Sequence, residues 1–233
     1  MRRLILFDID GTILSTRGAA RVAFHRALLE VYGTAGPIAT HRFDGKTDPQ
    51  IVRELLTMGG LTDAAIDQGF TAFWPTYLRN LAAELTRPGY ETFVYPGIPE
   101  LLVALARRNG QVALGLLTGN IEAGAALKLQ SAGLDRFFAF GAYGSDAEVR
   151  SDLPAVAVRR ARELTGHEYR GRDIVVIGDT PADVTCGRAL GVLSVAVATG
   201  SHDAVDLAAA GADHVFPDLA DTSGVLDVLI GGG

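Results

Sequence analysis

Cysteine and lysine are scarce in this chain of 233 residues: Cys186 is its one cysteine, and Lys46 and Lys128 are its two lysines. A single thiol cannot form an internal disulfide, which suits a reducing compartment, and small apolar neighbours predict that Cys186 is a buried packing residue. Long apolar runs are missing too, because the longest charge-free stretch, residues 189–202, is shorter than the roughly 20 residues that cross a bilayer. We therefore expect a cytoplasmic protein without a membrane segment.

Positive charge is also in short supply. The formal net charge of −6 argues against nucleic acid as the main partner, because non-specific affinity for a polyanion depends on lysine and arginine neutralising phosphates. The five histidines show no spacing typical of a metal site, so none is predicted to bind zinc. A small anion held by a few local donors stays compatible with this composition.

Short, continuous apolar runs predict strands that are buried on both faces. Amphipathic helical patterns separate the later runs, and strand alternating with helix implies right-handed crossovers. We therefore expect an α/β fold with a doubly wound, mostly parallel, Rossmann-like sheet. The predicted strands cover residues 4–8, 112–118, 137–140, 173–179, 193–199 and 214–217.

One long segment interrupts this alternation. Residues 15–92 contain amphipathic helical patterns and no apolar run typical of a buried strand, so they are predicted to form a separate α-helical cap inserted after the first strand. The catalytic core is then residues 1–14 and 93–233. Ligands bind at the carboxyl ends of the strands in open parallel sheets, so the cap is expected to cover a site there.

Polar residues follow the predicted strands at that same edge of the sheet. Two carboxylates about 4 Å apart repel by about 4 kcal/mol at an effective dielectric near 20, so a cation between them is expected. Oxygen ligands from carboxylates, without histidine or cysteine, favour magnesium over zinc. The candidate site residues are Asp8 and Asp10 after the first strand, Thr118, Gly119 and Asn120 after the second, Arg150 after the third, and Asp179 and Asp183 after the fourth.

An anion site of phosphate type is predicted beside this metal site. The Thr118 hydroxyl, the main-chain donors of the loop that follows it, and the guanidinium of Arg150 suit phosphate oxygens. Asp8, at a rigid strand tip, is the candidate nucleophile that would form an aspartyl phosphate. Asp10 lies two residues on, in a turn, and is the candidate general acid and then general base.

The segments "DIDGT" and "GDTPAD", the Thr118 strand end and a basic residue ahead of a helix resemble, in order, the four motifs of the haloacid dehalogenase-like hydrolase superfamily. The helical insertion is similar to the small cap of its phosphoglycolate phosphatase and beta-phosphoglucomutase branch. The resemblance implies that Asp8 is the nucleophile and a magnesium ligand, and that Asp10 is the acid/base and offers the metal its main-chain carbonyl. It also implies that Thr118 and the basic residue bind phosphate, that Asp179 binds magnesium, and that Asp183 supports the metal site.

The basic residue is where this chain departs from the family pattern. That residue is most often a lysine, but Lys46 and Lys128 both lie outside the matching region. Arg150 is the predicted substitute, because "SDLP" and a helix follow it, and an arginine fork holds both a phosphate oxygen and a carboxylate. Arg159 is the alternative, although it is predicted to lie inside the helix rather than at its start.

The second aspartate separates the chemistries of this superfamily. Its dehalogenases and phosphonate-cleaving members lack a residue like Asp10, so the resemblance favours phosphate transfer. Substrate choice is expected to depend on the cap loop Gly45, Lys46 and Thr47, which in related proteins reaches toward the active site. Lys46 would pair there with a substrate carboxylate or phosphate, and a solvated lysine beside a helix cap is the alternative.

We therefore expect a magnesium-dependent phosphatase that hydrolyses a small phosphorylated metabolite, with a phosphoglycolate-like phosphomonoester as the leading candidate. A phosphosugar mutase is the first alternative, since it would use the same site and return the phosphoryl group to a sugar. A non-catalytic protein that binds phosphorylated metabolites is the second, and the intact Asp8, Asp10, Thr118 and Asp179 argue against it. The choice between monomer and homodimer stays open.

Overall fold

Strands and helices alternate along the core of the chain. The computed structural model describes residues 2–89, 91–108 and 110–231. Its strands are β1 (Arg3–Phe7), β2 (Leu14–Ser15), β3 (Phe93–Val94), β4 (Val112–Leu117), β5 (Gly141–Ala142), β6 (Ile174–Gly178), β7 (Leu193–Val197) and β8 (His214–Phe216). Its helices are α1 (Ala19–Tyr32), α2 (Asp48–Met58), α3 (Asp63–Leu85), α4 (Ile98–Ala106), α5 (Glu122–Ser131), α6 (Leu153–Thr165), α7 (Pro181–Cys186), α8 (Ala204–Ala209) and α9 (Thr222–Ile230). None of the helices within these ranges is long and apolar enough to cross a membrane.

Six of the strands form one sheet in the order β5-β4-β1-β6-β7-β8. Every neighbouring pair in this sheet is parallel. β1 lies between β4 and β6, because Phe7 pairs with Leu116 on one side and with Ile177 on the other. The predicted doubly wound α/β fold is therefore confirmed.

β1 is apolar along most of its length because both of its faces are buried. Ile5 and Phe7 pack into a core that includes α4, α5 and α9, whereas Leu4 and Leu6 pack against α6 on the opposite face. All four side chains are fully buried, and burying each stabilises the fold by about 1.5–3 kcal/mol relative to exposure. The central strand is thus a rigid support for Asp8, the residue that follows it.

The third strand lies elsewhere than predicted. Residues 137–140 are not a strand, since a 3-10 helix covers Asp135–Phe137 and β5 is limited to Gly141–Ala142. The Phe138 ring packs on the ring of Phe7, with centroids 6.0 Å apart, so this apolar run covers a face of the sheet instead of extending it. Hydrophobicity indicated burial here, but it did not distinguish packing on a sheet from pairing within it.

Helix α9 is an element that the sequence patterns do not predict. Asp221 caps it by accepting a hydrogen bond from the main-chain N–H of Gly224 at 3.1 Å. Val225 and Leu229 are buried and pack into the same core as Ile5 and Phe7. The short helix is therefore stabilised by its cap and by tertiary burial, which no local pattern records.

Three helices form the inserted cap. Helices α1, α2 and α3 pack around Phe24, whose ring centroid lies 5.3 Å from that of Phe73 and 5.0 Å from that of Tyr77. The chain passes from core to cap through β2 and returns through β3. These two strands form an antiparallel pair in which Leu14 lies opposite Val94. The domain boundaries predicted at 14/15 and 92/93 fall within or beside this pair.

The single cysteine is a buried packing residue, as predicted. Cys186 is 8% exposed and packs with Leu4 and Leu6 under the sheet. Burial raises the pKa of its thiol to about 12, so the reactive thiolate is scarce at neutral pH.

Candidate active site

The carboxyl ends of β1, β4 and β6 meet at one edge of the sheet, beneath the cap. Asp8, Thr118 and Asp179 are the residues that follow these three strands. A cavity of about 310 Å³ opens there between core and cap. All the predicted site residues except Thr47 and Asp183 line it, namely Asp8, Asp10, Gly45, Lys46, Thr118, Gly119, Asn120, Arg150 and Asp179.

Asp8 extends the central strand by one residue into this cavity. Its main-chain N–H donates to the carbonyl of Ile177 at 2.9 Å, which holds the residue in the sheet. Burial raises the pKa of the Asp8 carboxyl, Arg150 opposes that shift, and Asp183 and Asp10 add to it. The carboxylate thus lies in a place where added positive charge would stabilise its ionised form.

Asp179 is enclosed by glycines. A Cβ atom on Gly11 would lie 2.3 Å from Asp179 Oδ2, and one on Gly200 would lie 1.8 Å from the same oxygen. Gly11 also has a φ of +88°, which favours glycine. The Thr12 hydroxyl donates to Asp179 Oδ1 at 3.0 Å, while burial and the charges of Asp183 and Asp8 raise the Asp179 pKa.

Asp8, Asp179 and Asp183 form a buried carboxylate cluster in which one oxygen of each lies within 4.8 Å of the others. An oxygen-only donor set fits a hard divalent cation such as Mg²⁺, and a cation would offset the repulsion that raises these pKa values. Asp183 already uses both oxygens, since Oδ1 accepts from Arg150 and Oδ2 accepts from Thr180 Oγ1 at 2.6 Å and Thr180 N at 3.0 Å. Asp8 and Asp179 are therefore better suited than Asp183 to bind a cation directly. Asp183 would support the site through its hydrogen bonds to Arg150 and Thr180.

Arg150 lies at the centre of the buried charges. Its Nη2 is 3.2 Å from Asp8 Oδ1 and also pairs with Asp183. Its Nε is buried and has no hydrogen-bond partner in the part of the chain that the structure describes. An unpaired buried donor costs about 1–3 kcal/mol. Arg159, the alternative residue, is exposed on α6 and does not line the cavity.

The loop after β4 brings three polar groups together. Asn120 Nδ2 donates to Thr118 Oγ1 at 2.8 Å and to Asp10 Oδ2 at 2.7 Å. Gly119, between them, has no room for a side chain, because a Cβ atom would lie 2.0 Å from the carbonyl oxygen of Lys46 in the cap loop. The predicted Thr118–Asn120 segment and the predicted cap loop are therefore in direct contact.

Lys128 belongs to the site, although its position in the sequence places it outside the matching motifs. It lies on α5, and its ammonium contacts Asp10 Oδ2 at 2.7 Å, Asp10 Oδ1 at 2.8 Å and Asn120 Oδ1 at 2.6 Å. The sequence motifs do not predict Lys128 as a site residue. One pattern could have indicated it: Lys128 shares a helix face with the small residues Gly124 and Ala125, in a helix that begins soon after the loop Thr118–Asn120.

The cap meets the core through the start of α2. Asp48 Oδ2 accepts from the main-chain N–H of Ile121 at 2.9 Å, and Asp48 N donates to the Gly119 carbonyl at 2.7 Å. Thr47, which caps α2, donates its hydroxyl hydrogen to the carbonyl of Glu148 at 2.6 Å. The structure thus places Thr47 at the contact between cap and core, outside the cavity lining.

Lys46 lines the cavity, but its ammonium already has partners within the cap. Its Nζ lies 2.5 Å from Glu54 Oε2 and 3.2 Å from His41 Nε2. Burial and the nearby lysine lower the pKa of His41, so the imidazole is neutral at neutral pH. The positive charge of Lys46 is therefore largely matched by Glu54.

Comparisons with known proteins agree with this geometry. The family model of the haloacid dehalogenase-like hydrolases matches residues 2–191. The chain belongs to this family. The sequence-based expectation of a phosphatase-type hydrolase is confirmed.

Named relatives and a solved structure extend the match over nearly the whole chain. A phosphoglycolate phosphatase of Rhodospirillum rubrum is 30% identical over 94% of this chain and 89% of its own length. One from Pseudomonas syringae pv. syringae is 28% identical over 93% of this chain and 77% of its own length. The crystal structure of a predicted phosphoglycolate phosphatase from Haemophilus somnus, 20% identical, superposes with a TM-score of 0.71 over 96% of this chain and 97% of that one. This structural similarity shows that the two proteins share a fold.

Proposed function

We propose that this hydrolase is a magnesium-dependent phosphatase that removes phosphate from a small phosphomonoester by way of an aspartyl phosphate on Asp8. One observation carries the proposal. Asp8 lies at the tip of the central strand, 3.2 Å from Nη2 of the buried Arg150, and both residues line a cavity of about 310 Å³. A carboxylate beside an arginine in a cavity of this size suits a small phosphorylated metabolite.

In the first half of the reaction the Asp8 carboxylate attacks phosphorus. The new bond joins an Asp8 oxygen to phosphorus, and the bond between phosphorus and the ester oxygen breaks. Asp10 in its acid form gives its proton to that oxygen, so the product leaves as an alcohol. Arg150 and the Thr118 hydroxyl would hold the phosphoryl oxygens in this step.

In the second half water replaces the alcohol. Asp10, now a carboxylate, takes a proton from the water as its oxygen attacks phosphorus. The bond between phosphorus and Asp8 breaks, which releases inorganic phosphate and restores the Asp8 carboxylate. Asp8, Asp179 and the main-chain carbonyl of Asp10 would hold Mg²⁺, which when bound supplies positive charge at the phosphoryl oxygens.

The charges of the cavity support a substrate that carries a second negative group. Arg21 differs from the other basic side chains that line it, because its guanidinium donates to the main-chain carbonyls of Ile38 at 2.6 Å and His41 at 3.0 Å and has no carboxylate partner in the described ranges. Arginine has five N–H donors, so donors remain for a substrate carboxylate. This favours a phosphoglycolate-like phosphomonoester. The basic side chains among the described residues of the lining are Arg21, Lys46, Lys128 and Arg150.

A panel of phosphomonoesters tests the proposal. Purified protein with magnesium is expected to release inorganic phosphate, with 2-phosphoglycolate among the better substrates. Asp8→Asn is expected to abolish release while the protein keeps its melting temperature within a few degrees. Asp227→Asn, on the exposed face of α9, is the matched control and is expected to behave like the wild type.

Other outcomes would redirect the assignment. Isomerised sugar phosphate from a hexose 1-phosphate, without free phosphate, would mean a mutase. No phosphate from any ester in the panel would mean a binding protein. Substantial turnover by Asp8→Asn would exclude Asp8 as the nucleophile.

A further inference from the structure

Lys128 is a buried cation that contacts two polar side chains. Its side chain is 5% exposed. Its ammonium reaches both Asp10 oxygens, at 2.8 and 2.7 Å, and Asn120 Oδ1 at 2.6 Å. An ammonium has three N–H donors and no acceptor, so both partners accept hydrogen bonds from it. Lys128 therefore acts on Asp10 and Asn120.

Asp10 is the member of the site that needs such support. Its side chain is 43% exposed, and it follows the rigid strand by three residues, directly before the turn at residues 11–13. A partly exposed aspartate side chain is free to rotate, whereas a carboxylate bonded through both oxygens has one orientation. A displacement of about 1 Å of a catalytic group lowers rates by about 10²-fold, so fixing this carboxylate has a kinetic consequence.

Lys128 also determines which way the Asn120 amide faces. Because lysine can only donate, Asn120 must present its oxygen to Lys128, and its nitrogen then faces Asp10 and Thr118. The amide NH₂ gives the Asp10 carboxylate a further fixed donor, at 2.7 Å. One ammonium thus orients both the carboxylate and the amide beside it.

We propose that Lys128 is a positioning residue of this active site, which holds the Asp10 carboxylate and the Asn120 amide in the orientation needed for proton transfer in the cavity. This rests on the proposed role of Asp10 as general acid and base. Lys128 acts through Asp10, so its effect depends on how much help the leaving group needs. An alkoxide leaving group requires a proton from Asp10, whereas p-nitrophenolate does not.

The test compares two substrates in four proteins: the wild type, Lys128→Met, Asp10→Asn and the double variant. Lys128→Met is expected to lower kcat/KM for ethyl phosphate by about 10²-fold and to change kcat/KM for p-nitrophenyl phosphate by less than about threefold. In the Asp10→Asn background, Lys128→Met is expected to cause no further loss with ethyl phosphate. Equal losses with both substrates, no loss with either, or additive losses in the double variant would each overturn the proposal.

A destabilised control separates positioning from general damage to α5. Leu129→Ala removes a buried core side chain from the same helix, adjacent to Lys128. It is expected to lower the melting temperature and to leave the ratio of the two kcat/KM values unchanged. If Leu129→Ala shifted that ratio as Lys128→Met does, the positioning role would be refuted.

The contact itself can be tested without activity, because the chain has only two lysines. With ¹³C-labelled lysine, two ε-methylene environments are expected in the NMR spectrum. Asp10→Asn is expected to shift the Lys128 signal and leave the Lys46 signal in place, and Glu54→Gln is expected to do the reverse. An unshifted Lys128 signal in Asp10→Asn would overturn the proposal. A shifted signal in a protein that releases no phosphate would instead refute the proposed function and leave the contact standing.

Discussion

Asp48, in the first turn of cap helix α2, accepts a hydrogen bond from the main-chain N–H of Ile121, at the start of core helix α5. The distance from the Ile121 nitrogen to Asp48 Oδ2 is 2.9 Å, and the carboxyl group is buried between cap and core. Burial raises its pKa from 3.8 to about 6, against the opposing influence of Lys128 and of the Ile121 N–H. The contact between cap and core therefore includes a carboxyl group that retains its proton more readily when the protein is folded.

The raised pKa makes stability depend on pH. Between pH 4 and pH 6 the folded chain keeps a proton on Asp48 that the unfolded chain has lost, so the free energy of unfolding falls as the pH rises. The loss from this group is on the order of 3 kcal/mol and is complete above the folded pKa. Asp48→Asn, whose amide oxygen still accepts from Ile121, is expected to remove this part of the pH dependence. Urea unfolding with EDTA at pH 4, 5, 6 and 7 measures it.

The difference between wild type and variant isolates Asp48 from the other buried carboxyls. The two proteins are expected to be close in stability at pH 4, with the variant the more stable at pH 7. Asp227→Asn, which changes an exposed aspartate on α9, is expected to follow the wild type at each pH. Parallel curves for wild type and Asp48→Asn would contradict the expectation.

The residues at strand ends could be predicted from the sequence, whereas the residues that reach the site from helices could not. Asp8 and Asp179 follow apolar runs directly, and the parallel order of the sheet brings such positions together. Lys128 reaches Asp10 only because of how α5 is rotated on the sheet, and Asp48 is buried only because the cap rests on the core. Tertiary packing sets both the rotation of α5 on the sheet and the docking of the cap on the core, and local sequence patterns do not predict either.

The third strand illustrates the same limit within the sheet. β5 has two residues, Gly141 and Ala142, and the aromatic run before it packs on the core. A two-residue strand has no periodicity to detect. Arg150 could still be predicted, because its position ahead of a helix depends on the start of α6 and not on the strand.

Magnesium binding is expected to release protons. Burial and mutual repulsion raise the pKa values of Asp8 and Asp179, so the metal-free protein retains part of their protons near neutral pH. A cation must displace these protons, and its apparent affinity should therefore increase with pH, by up to about tenfold per pH unit for each proton released. Calorimetric titration with Mg²⁺ in two buffers of different ionisation enthalpy measures the number, which we expect to be on the order of one near pH 7.

The same titration has an internal control. Asp179→Asn removes one of the raised carboxyls and is expected to bind Mg²⁺ more weakly and to release fewer protons. Thr222→Ala, on helix α9 and outside the cavity lining, is expected to leave both quantities unchanged. A proton count of zero for the wild type at pH 7 would be incompatible with the raised pKa values.

Arg21 is expected to govern preference for a substrate carboxylate. Its guanidinium is held by two main-chain carbonyls and lies 4.0 Å from the centroid of the Phe43 ring, so its position is fixed before a substrate arrives. A hydrogen bond to a charged group contributes about 1.5–3 kcal/mol, which corresponds to about 10- to 150-fold in affinity. Arg21→Gln should therefore lower kcat/KM for 2-phosphoglycolate by at least about tenfold and leave that for ethyl phosphate within about threefold.

Steady-state kinetics with both substrates checks this preference. Arg79→Gln is the matched control, because Arg79 is a cap arginine that pairs with Glu30 on the surface and does not line the cavity. It is expected to leave both values unchanged. If Arg21→Gln lowered kcat/KM equally for the two substrates, Arg21 would have no role in recognising the carboxylate.

Two glycines five residues apart are expected to respond differently to alanine, Gly119 in catalysis and Gly124 in stability. At Gly119 a Cβ atom would lie 2.0 Å from the Lys46 carbonyl oxygen, so the cap loop must move away from the site loop. At Gly124, inside α5, the nearest atom would be Ile121 Cγ1 at 3.4 Å, which is an ordinary contact.

Gly119→Ala should lower kcat/KM by about 10²-fold, because the added methyl group displaces the cap loop. Gly124→Ala should raise the free energy of unfolding by up to about 1 kcal/mol, because alanine favours the helix. Kinetics and urea unfolding of both variants test the pair, and a Gly119→Ala enzyme with wild-type kcat/KM would show that the cap need not rest on this loop during turnover.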